Sequence, residues 1–307
     1  MLERRDFLRL AMLLGTGALA GCSAPSSGDA GGSGSAAETV DSGSESGNEP
    51  RVVATLRSLA QMAVLAGLPP VGVSEDATDL DGLPSDVRVV GTTAHPSLEK
   101  IISLEPTLVL LTSELPSQRE LEDGLDDAGI EWRDVRIGSF DDYASNMEEL
   151  TDLSGRDDLY QKNVEDVASA IADVESQASD LPQVSYLALL VSSTRAKAAK
   201  ADYFACEIFD NMQMHNIADD DSSLDDLSVE AIVAADPYYV FVIPRGDEDK
   251  AKEAFEQEFE SQPAWSSLEA SKEGRVDVLP KDLFEYKPND RWAEAYSHIL
   301  DIRESQG

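Results

Sequence analysis

The residues of this chain best placed to bind a charged ligand are three arginines that follow apolar runs. Arg57 comes shortly after VVAT, Arg195 follows VSYLALLV, and Arg245 follows YVFVIP. If the runs are parallel strands, the arginines lie at the carboxyl ends of a sheet, where α/β proteins bind ligands. A guanidinium there can hold a carboxylate or another anion through charge-assisted hydrogen bonds. The alternative for each arginine is an ordinary surface ion pair with one of the many acidic residues.

Further candidates for ligand contacts lie in loops next to other apolar runs or near the C-terminus. They are His95, Ser113, Glu114, Tyr203, Phe284, Tyr286 and Lys287. His95 or Tyr203 could bind an iron or another metal, since imidazole and phenolate are both iron ligands. Helix capping and simple hydrogen bonding are commoner roles for such residues, so both interpretations stay open.

The sequence lacks the common catalytic and metal-binding motifs. Its histidines, His95, His215 and His298, are widely separated, and no HxH, HExxH or CxxC spacing occurs. Neither a GxSxG elbow nor a glycine-rich phosphate loop is present. We therefore predict no catalytic residues and no resident metal or cofactor, and we expect a protein that is not an enzyme.

The charge of the chain argues against one broad class of partner. Sixty acidic residues stand against 24 basic ones over 307 residues, which gives a formal net charge of −36. Nucleic acids bind to basic surfaces, so we predict no nucleic-acid partner. The acidity itself favours solubility and does not identify a ligand.

One segment of the sequence occurs twice. Residues 97–111 read SLEKIISLEPTLVLL and residues 228–242 read SVEAIVAADPYYVFV, with Ser, Glu, Ile, Pro and Val in register. Ser97 and Ser228 are suited to cap a helix, and Pro106 and Pro237 to end it. The apolar runs after the prolines are typical of buried parallel strands. The repeat therefore predicts two related α/β halves.

Strand and helix patterns place these halves along the chain. Short apolar strands are predicted at 52–55, 71–73, 87–90, 108–111 and 131–135, and again at 184–191, 240–243 and 275–279. Between the two groups lies a helical apolar stripe over about 25 residues, or nearly 40 Å. We predict an α/β fold of two Rossmann-like lobes with parallel-type sheets and a ligand cleft between them. The predicted lobes are 51–153 and 181–307, joined by a single long helix at 154–180.

The N-terminus has the features of a bacterial export signal. Residues 1–21 combine a basic start with an apolar stretch that would be about 17 Å long as a helix, against roughly 30 Å of bilayer core. Arg4 and Arg5 lie in a twin-arginine-like motif, and LAGC at 19–22 matches a lipobox whose Cys22 would be lipidated. An ordinary cleaved signal that happens to contain Cys22 is the alternative. Residues 22–50, rich in Gly, Ser and acid, are predicted to form a disordered tether.

Three residues with distinctive side chains are better explained by packing. Cys206 is the one cysteine besides Cys22, so we expect no internal disulfide, and its neighbours in DYFACEIF indicate a buried thiol. Trp265 and Trp292 lie in helical patterns and are predicted to pack in the core.

The repeat, the lipobox and the long helix together resemble the substrate-binding lipoproteins of ABC importers. The resemblance is to the helix-linked class that carries iron-siderophores, haem and cobalamin, and it covers essentially the whole mature chain. It is most specific in PSLEKIISLEPTLVLL, in LSVEAIVAADPYYVFV and in residues 262–296. In this class a rigid helix joins the lobes and the ligand lies in the cleft between them.

The resemblance implies a function and a set of partners. It implies a monomer, lipid-anchored to the cell membrane on its extracytoplasmic side, that captures an iron complex and delivers it to an ABC permease and its ATPase. A ferric siderophore is the favoured cargo and haem an alternative; cobalamin, another ligand, or presentation of ligand to a sensor are the other interpretations.

The resemblance also gives roles to particular positions. It implies that the matched Glu99 and Glu230 dock against basic residues of the permease, while a solvated helix face is the alternative. Some haem-binding members carry a Met before the repeat helix and a His after the second repeat strand. Here Ala94 and Arg245 fall at those places, which disfavours haem.

Overall fold

A computed structural model describes residues 50–220, 224 and 227–306 of the protein. The predicted signal peptide, the lipidation site Cys22 and the tether up to residue 49 lie outside the described residues. The strands, numbered in chain order, are β1 (Val52–Ala54), β2 (Gly72–Val73), β3 (Arg88–Val89), β4 (Gly91–Thr92), β5 (His95–Pro96), β6 (Leu108–Leu111), β7 (Glu131–Asp134), β8 (Val184–Val191), β9 (Ala196–Ala198), β10 (Met214–Asn216), β11 (Tyr239–Pro244) and β12 (Val276–Val278).

Helices fill most of the connections between these strands. They are α1 (Arg57–Leu65), α2 (Leu98–Ser103), α3 (Pro116–Arg119), α4 (Glu122–Asp127), α5 (Phe140–Ser154), α6 (Asp157–Tyr160), α7 (Asp166–Ala178), α8 (Phe204–Asn211), α9 (Ile217–Asp220), α10 (Val229–Ala235), α11 (Glu248–Phe255), α12 (Glu269–Lys272), α13 (Lys281–Phe284) and α14 (Trp292–Gln306). Single 3₁₀ turns occur at Glu75–Ala77, Trp265–Ser267 and Asn289–Arg291.

The first sheet consists of parallel strands in the order β3-β2-β1-β6-β7. Val53 of β1 is in register with Gly72 on one side and with Val109 on the other. Strand β6 is buried at all of its positions, as expected for a parallel strand covered on both faces. The five strands predicted for this half agree with the structure to within one residue at each end.

The second sheet has the parallel order β10-β8-β11-β12, and β9 pairs with β8 in the antiparallel sense. Strands β8 and β11 are in register from the pair Tyr186 and Tyr239 to the pair Val191 and Pro244. The predicted α/β class with two parallel-type sheets is confirmed. The β4–β5 hairpin, β9 and β10 were not predicted, because runs of two or three residues carry no readable periodicity.

A continuous helical stretch from Asp157 to Ala178 connects the two sheets. It passes from α6 through a π-helical turn at Gln161–Glu165 into α7, so its 22 residues extend about 33 Å. The predicted stripe faces the core, with Val164, Val167, Ile171 and Val174 all buried. Helix α7 packs along α14, which holds this part of the connector in place.

Both copies of the repeat fold alike. The side chains of Ser97 and Ser228 accept hydrogen bonds from the backbone N–H groups of Lys100 and Ala231, which caps α2 and α10. Each helix is followed by an acidic residue with positive φ directly before the proline, with φ of 47° at Glu105 and 44° at Asp236. The predicted helix, its cap and the following buried strand are therefore confirmed in both halves.

Aromatic packing and polar contacts join the two lobes firmly. Trp292 is fully buried and meets Phe140 edge-on at 5.9 Å and Phe204 at 5.7 Å between ring centroids. Asn289 donates from Nδ2 to the carbonyl of Ser58 in α1 at 3.1 Å. Trp265 is also buried, so both tryptophans are core residues as predicted. Cys206 is buried too, and burial raises the pKa of its thiol to about 12.

Candidate ligand-binding site

The strand order of each sheet marks one switch point, where neighbouring strands continue in opposite directions. It lies between β1 and β6 in the first sheet and between β8 and β11 in the second. Ligands of open α/β sheets bind outside the carboxyl ends of strands at such points. Arg57 and Ser113 follow the first pair of strands, and Arg195 and Arg245 follow the second pair.

Arg57 is the first residue of α1, and its charge is already paired. Its guanidinium is in direct contact with the carboxylate of Asp79, and a second nitrogen lies 3.4 Å from the other carboxylate oxygen. The hydrogen bond from Arg57 lowers the pKa of Asp79. The guanidinium carbon also lies 5.7 Å from the ring centroid of Tyr286, so Arg57 reaches a residue of the second lobe.

Ser113 takes part in a hydrogen-bond network within its own lobe. Its backbone N–H and its hydroxyl both donate to the Asp134 carboxylate at 2.7 Å, and Arg136 donates to the same carboxylate at 2.9 Å. Burial alone would raise the pKa of Asp134, but the donors from Ser113 and Arg136 outweigh it and lower the pKa. The neighbouring Glu114 has an exposed side chain, and its charge acts on Lys287 across the lobes.

The end of β11 carries a different arrangement. Arg245 keeps 44% of its side chain exposed, and its Nε lies 3.4 Å from Oε1 of Glu285. The backbone N–H of Gly246 donates to the same oxygen at 3.0 Å. Lys281 Nζ lies 3.2 Å from Oε2 of Glu285, so one carboxylate serves two cations.

Lys287 connects the two lobes. Its ammonium donates to the carbonyl of Ile137, which follows β7, and lies 4.5 Å from the ring centroid of Phe204 in α8. Burial lowers the pKa of Lys287 to about 8; Glu114 acts to raise this pKa and Arg245 to lower it. The charge on Lys287 is therefore costly in the free protein and would be stabilised by an incoming anion.

The aromatic candidates have three different environments. The Tyr203 hydroxyl donates to the carbonyl of Phe284 at 2.6 Å, and burial raises its pKa, so the phenolate needed to bind iron is disfavoured. The Phe284 ring is fully buried and stacks on Phe209 at 6.0 Å. Helix α13 turns the Phe284 side chain into the core, and its contact with ligand stays a prediction. Tyr286 is half-buried, between Arg57 and Lys281.

Two further candidates lie in exposed turns. Arg195 lies in the turn from β8 to β9, where its backbone N–H and C=O bond to Ser192, and His95 lies at the start of β5. Among the described residues, no hydrogen bond or ion pair links either side chain to Arg245, Lys281 or Lys287. The same part of the chain contains no group of three His, Cys, Asp or Glu side chains that could hold a metal ion.

Four basic residues thus gather where the lobes meet; we call them the cationic cluster: Arg57, Arg245, Lys281 and Lys287. Lys281 was missed by the sequence analysis, although its spacing of four from Glu285 is a helical ion-pair signal. Lys281 and Tyr286 also line an open depression of about 570 Å³, together with Glu248, Val278 and Asp282. Asp79 and Glu285 directly contact the cluster, so its positive charge is only partly neutralised.

Comparison with known proteins agrees with this architecture. Residues 50–283 match the family model described as periplasmic binding protein. The Fe(3+)-citrate-binding protein YfmC of Bacillus subtilis is 22% identical over 249 residues, which is 78% of this chain and 76% of the relative.

Solved structures share the fold at low sequence identity. The haem complex of Staphylococcus aureus IsdE superposes with a TM-score of 0.71 at 20% identity and covers 83% of this chain and 98% of its own. The vitamin B12-binding protein BtuF of Vibrio cholerae gives 0.68 at 21% identity, with 84% and 97% covered.

The remaining observation concerns membrane insertion. Within residues 50–220, 224 and 227–306, none of the helices has the length and apolar character needed to cross a bilayer.

The match to the periplasmic binding protein family covers well over half of the chain. The chain therefore belongs to the periplasmic binding protein family and is a solute-binding protein, as the sequence resemblance predicted, rather than an enzyme.

Proposed function

We propose that the protein captures an anionic ferric complex, a siderophore or citrate chelate with free carboxylates, and delivers it to an ABC importer. The observation that carries this proposal is the cationic cluster, because a chain of net charge −36 concentrates four basic residues at the meeting of its lobes. Guanidinium and ammonium groups bind carboxylates by charge-assisted hydrogen bonds. The likeness to a ferric-citrate-binding relative supports the same chemistry.

Haem is the weaker candidate because neither proposed iron ligand is well placed. His95 is exposed in a hairpin, and the Tyr203 hydroxyl is engaged by the Phe284 carbonyl. Proteins commonly hold haem iron by an axial side chain such as His or Tyr. Cobalamin carries a single phosphodiester and no free carboxylates, so it would make little use of the cationic cluster.

Titration of the purified protein with ferric citrate, haemin and cobalamin tests the proposal. We expect saturable binding of ferric citrate by calorimetry, with an affinity that falls as salt is raised because the contacts are ionic. Tight binding of haemin or cobalamin with no binding of an anionic ferric chelate would contradict it.

We also propose that Glu99 and Glu230 dock on the permease. Both side chains are exposed, and each is the second residue of a helix that is capped by a serine in the same way in the two lobes. A matched pair of carboxylates could contact two basic patches of a partner with corresponding halves. Uptake of iron by cells that carry Glu99→Arg and Glu230→Arg should be lost while ligand affinity in vitro is unchanged. Normal uptake would contradict the docking role.

Anchoring by a lipid on Cys22 and export by the twin-arginine route belong to the same proposal. They are supported by the sequence of residues 1–22. Substitution Cys22→Ser should release the protein from the membrane fraction, and substitution of Arg4 and Arg5 by Lys should retain it in the cytoplasm.

The proposed lobe boundaries, 51–153 and 181–307 around a linker at 154–180, follow the described elements. The first sheet ends at Asp134, the continuous helix covers Asp157–Ala178, and the second sheet starts at Val184. Because α7 packs along α14 and Trp292 joins both lobes, we expect little closure on binding. Small-angle scattering with and without ligand measures it, and a large change in radius of gyration would contradict a rigid connection.

A further inference from the structure

A carboxylate of the protein itself lies at the carboxyl end of β11. Oε1 of Glu285 accepts a hydrogen bond from the Gly246 N–H at 3.0 Å and lies 3.4 Å from Arg245 Nε, while Oε2 lies 3.2 Å from Lys281 Nζ. The side chain of Glu285 is only 12% exposed. A backbone donor, a guanidinium and an ammonium therefore surround one carboxylate.

These three groups form a receptor that any carboxylate could use; we call Arg245, Gly246 and Lys281 the carboxylate receptor. Gly246 has a φ of 71°, a conformation that residues with a side chain rarely adopt, so the turn that presents its N–H is built into the backbone. The turn directly follows β11 at the switch point of the second sheet, where ligands of this kind of fold bind.

Glu285 fills this receptor incompletely. Its Oε2 is buried and has no hydrogen bond among the described residues, and Lys281 donates instead to the Gly246 carbonyl. The 3.4 Å from Arg245 Nε exceeds the roughly 2.7–2.9 Å usual for charge-assisted bonds. Nearby, Arg291 holds Asp282 at 2.6 Å and Glu294 at 2.7 Å, so the same part of the chain contains well-made ion pairs for comparison.

The receptor is also within reach of a ligand. Lys281 and Tyr286 line the open depression, and Arg245 is 44% exposed. An incoming carboxylate could contact Lys281 and Arg245 from solvent and take over the Gly246 N–H as the Glu285 side chain turns outward.

We propose that Glu285 is an internal stand-in for a ligand carboxylate, which occupies the carboxylate receptor in the free protein and is displaced when cargo binds. Displacement makes binding selective, because the contacts that Glu285 loses must be replaced. Only a chelate that brings its own carboxylate to the receptor can replace them. The proposal depends on the proposed function only for the identity of the cargo, because the receptor can be tested with a simple carboxylate.

Iron-free citrate is the probe that tests it. We would measure citrate binding by calorimetry to the wild-type protein, to Glu285→Ala, which empties the receptor, and to Glu285→Gln, which keeps the shape but not the charge. Glu253→Ala is the matched control, since Glu253 is an exposed carboxylate of α11 in the same lobe and lies outside the lining of the depression. Thermal unfolding of each variant shows whether it is folded.

Glu285→Ala should bind iron-free citrate about tenfold more tightly than the wild type, a change set by one charge-assisted contact. Glu285→Gln should show a smaller gain in affinity for citrate, and Glu253→Ala should show none. A crystal structure of Glu285→Ala with citrate should place a carboxylate at the Gly246 N–H. Unchanged or weaker citrate binding by both folded Glu285 variants would overturn the proposal. Failure of the wild type to bind any ferric chelate would overturn the proposed cargo, and the citrate comparison would still decide the role of Glu285.

Discussion

The carboxyl ends of both sheets carry arginines, but the counter-ions of these arginines differ between the two lobes. In the first lobe, Arg57 contacts Asp79 directly and Ser113 is tied to Asp134. In the second lobe, Arg245 and Lys281 share the single carboxylate of Glu285, at 3.4 and 3.2 Å. The end of a strand therefore determines where a charged side chain lies. The counter-ions of that side chain determine whether its charge is available to a ligand. We expect the second lobe to supply most of the affinity for an anionic cargo.

The largest expected effect comes from removing the cations of the second lobe. Arg245→Gln with Lys281→Gln should weaken binding of ferric citrate by at least about 100-fold, since each lost charge-assisted bond is worth about 1.5–3 kcal/mol. Lys250→Gln with Lys252→Gln is the matched control, because it removes the same charge from α11, where both lysines pair with their own helix or its cap. Calorimetric titration compares the two. Equal losses in both would mean that only the net charge of the lobe matters.

Lys287 should add a pH dependence that the paired Arg57 does not. With its pKa lowered to about 8, Lys287 loses its charge above that pH, so affinity for an anion should fall by up to about tenfold per pH unit as pH rises beyond 8. Lys287→Gln should bind about tenfold more weakly at pH 7 and show a flat profile between pH 7 and 9. If the affinity of the wild-type protein did not change between pH 7 and 9, the proposed role of the Lys287 charge in anion binding would be contradicted.

The same shift predicts a stability effect with a defined sign. Between pH 8 and the usual lysine pKa of about 10.4, the unfolded chain binds the proton that folded Lys287 has released. The free energy of unfolding should therefore rise with pH in this window. Denaturant titrations at pH 8 and 10 measure the free energy of unfolding. Its increase between the two pH values should be smaller in Lys287→Gln than in the wild type.

Arg57 should contribute far less to the affinity for ferric citrate than Arg245 and Lys281 do. Measuring its contribution directly tests the contrast between the lobes. Arg57→Gln should weaken ferric citrate binding by no more than about threefold, because Asp79 already neutralises the guanidinium. Asp79→Asn should have the opposite effect and strengthen binding slightly, since it frees Arg57 for the ligand. If Arg57→Gln lost as much affinity for ferric citrate as the double variant of Arg245 and Lys281, the proposed difference between the cations of the two lobes would be contradicted.

The smallest expected effect lies at the junction of the lobes. Glu207 accepts from the Phe140 N–H at 2.8 Å, and burial, with Asp141, Asp142 and Glu175 nearby, raises its pKa to about 7. Folded Glu207 keeps a proton that the unfolded chain releases between about pH 4.5 and 7, so stability should fall as pH rises through this window. Glu207→Gln should remove this slope and stabilise the protein at pH 8 by roughly 1 kcal/mol or less, because solvent screens part of the repulsion.

The sequence predicted the repeat, its caps and the parallel strands because these are local patterns of a few residues. The short apolar runs that contain Val52, Leu108 and Val240 are sufficient by themselves to predict buried strands. Counter-ions could not be predicted, since Asp79 lies 22 residues from Arg57 and Glu285 lies 39 residues from Gly246. The burial of Phe284 could not be predicted, because a four-residue helix such as α13 has too few positions to reveal its inward face.

The most direct test of the central claim is the order of affinities of the wild-type protein for ferric chelates of different charge. Ferric citrate and a tris-hydroxamate ferric chelate with a net positive charge would be titrated under identical buffer conditions. The second-lobe cations predict that the anionic chelate binds at least tenfold more tightly and that added salt reduces the difference. Equal affinity for the two chelates, or tighter binding of the cationic one, would contradict the account.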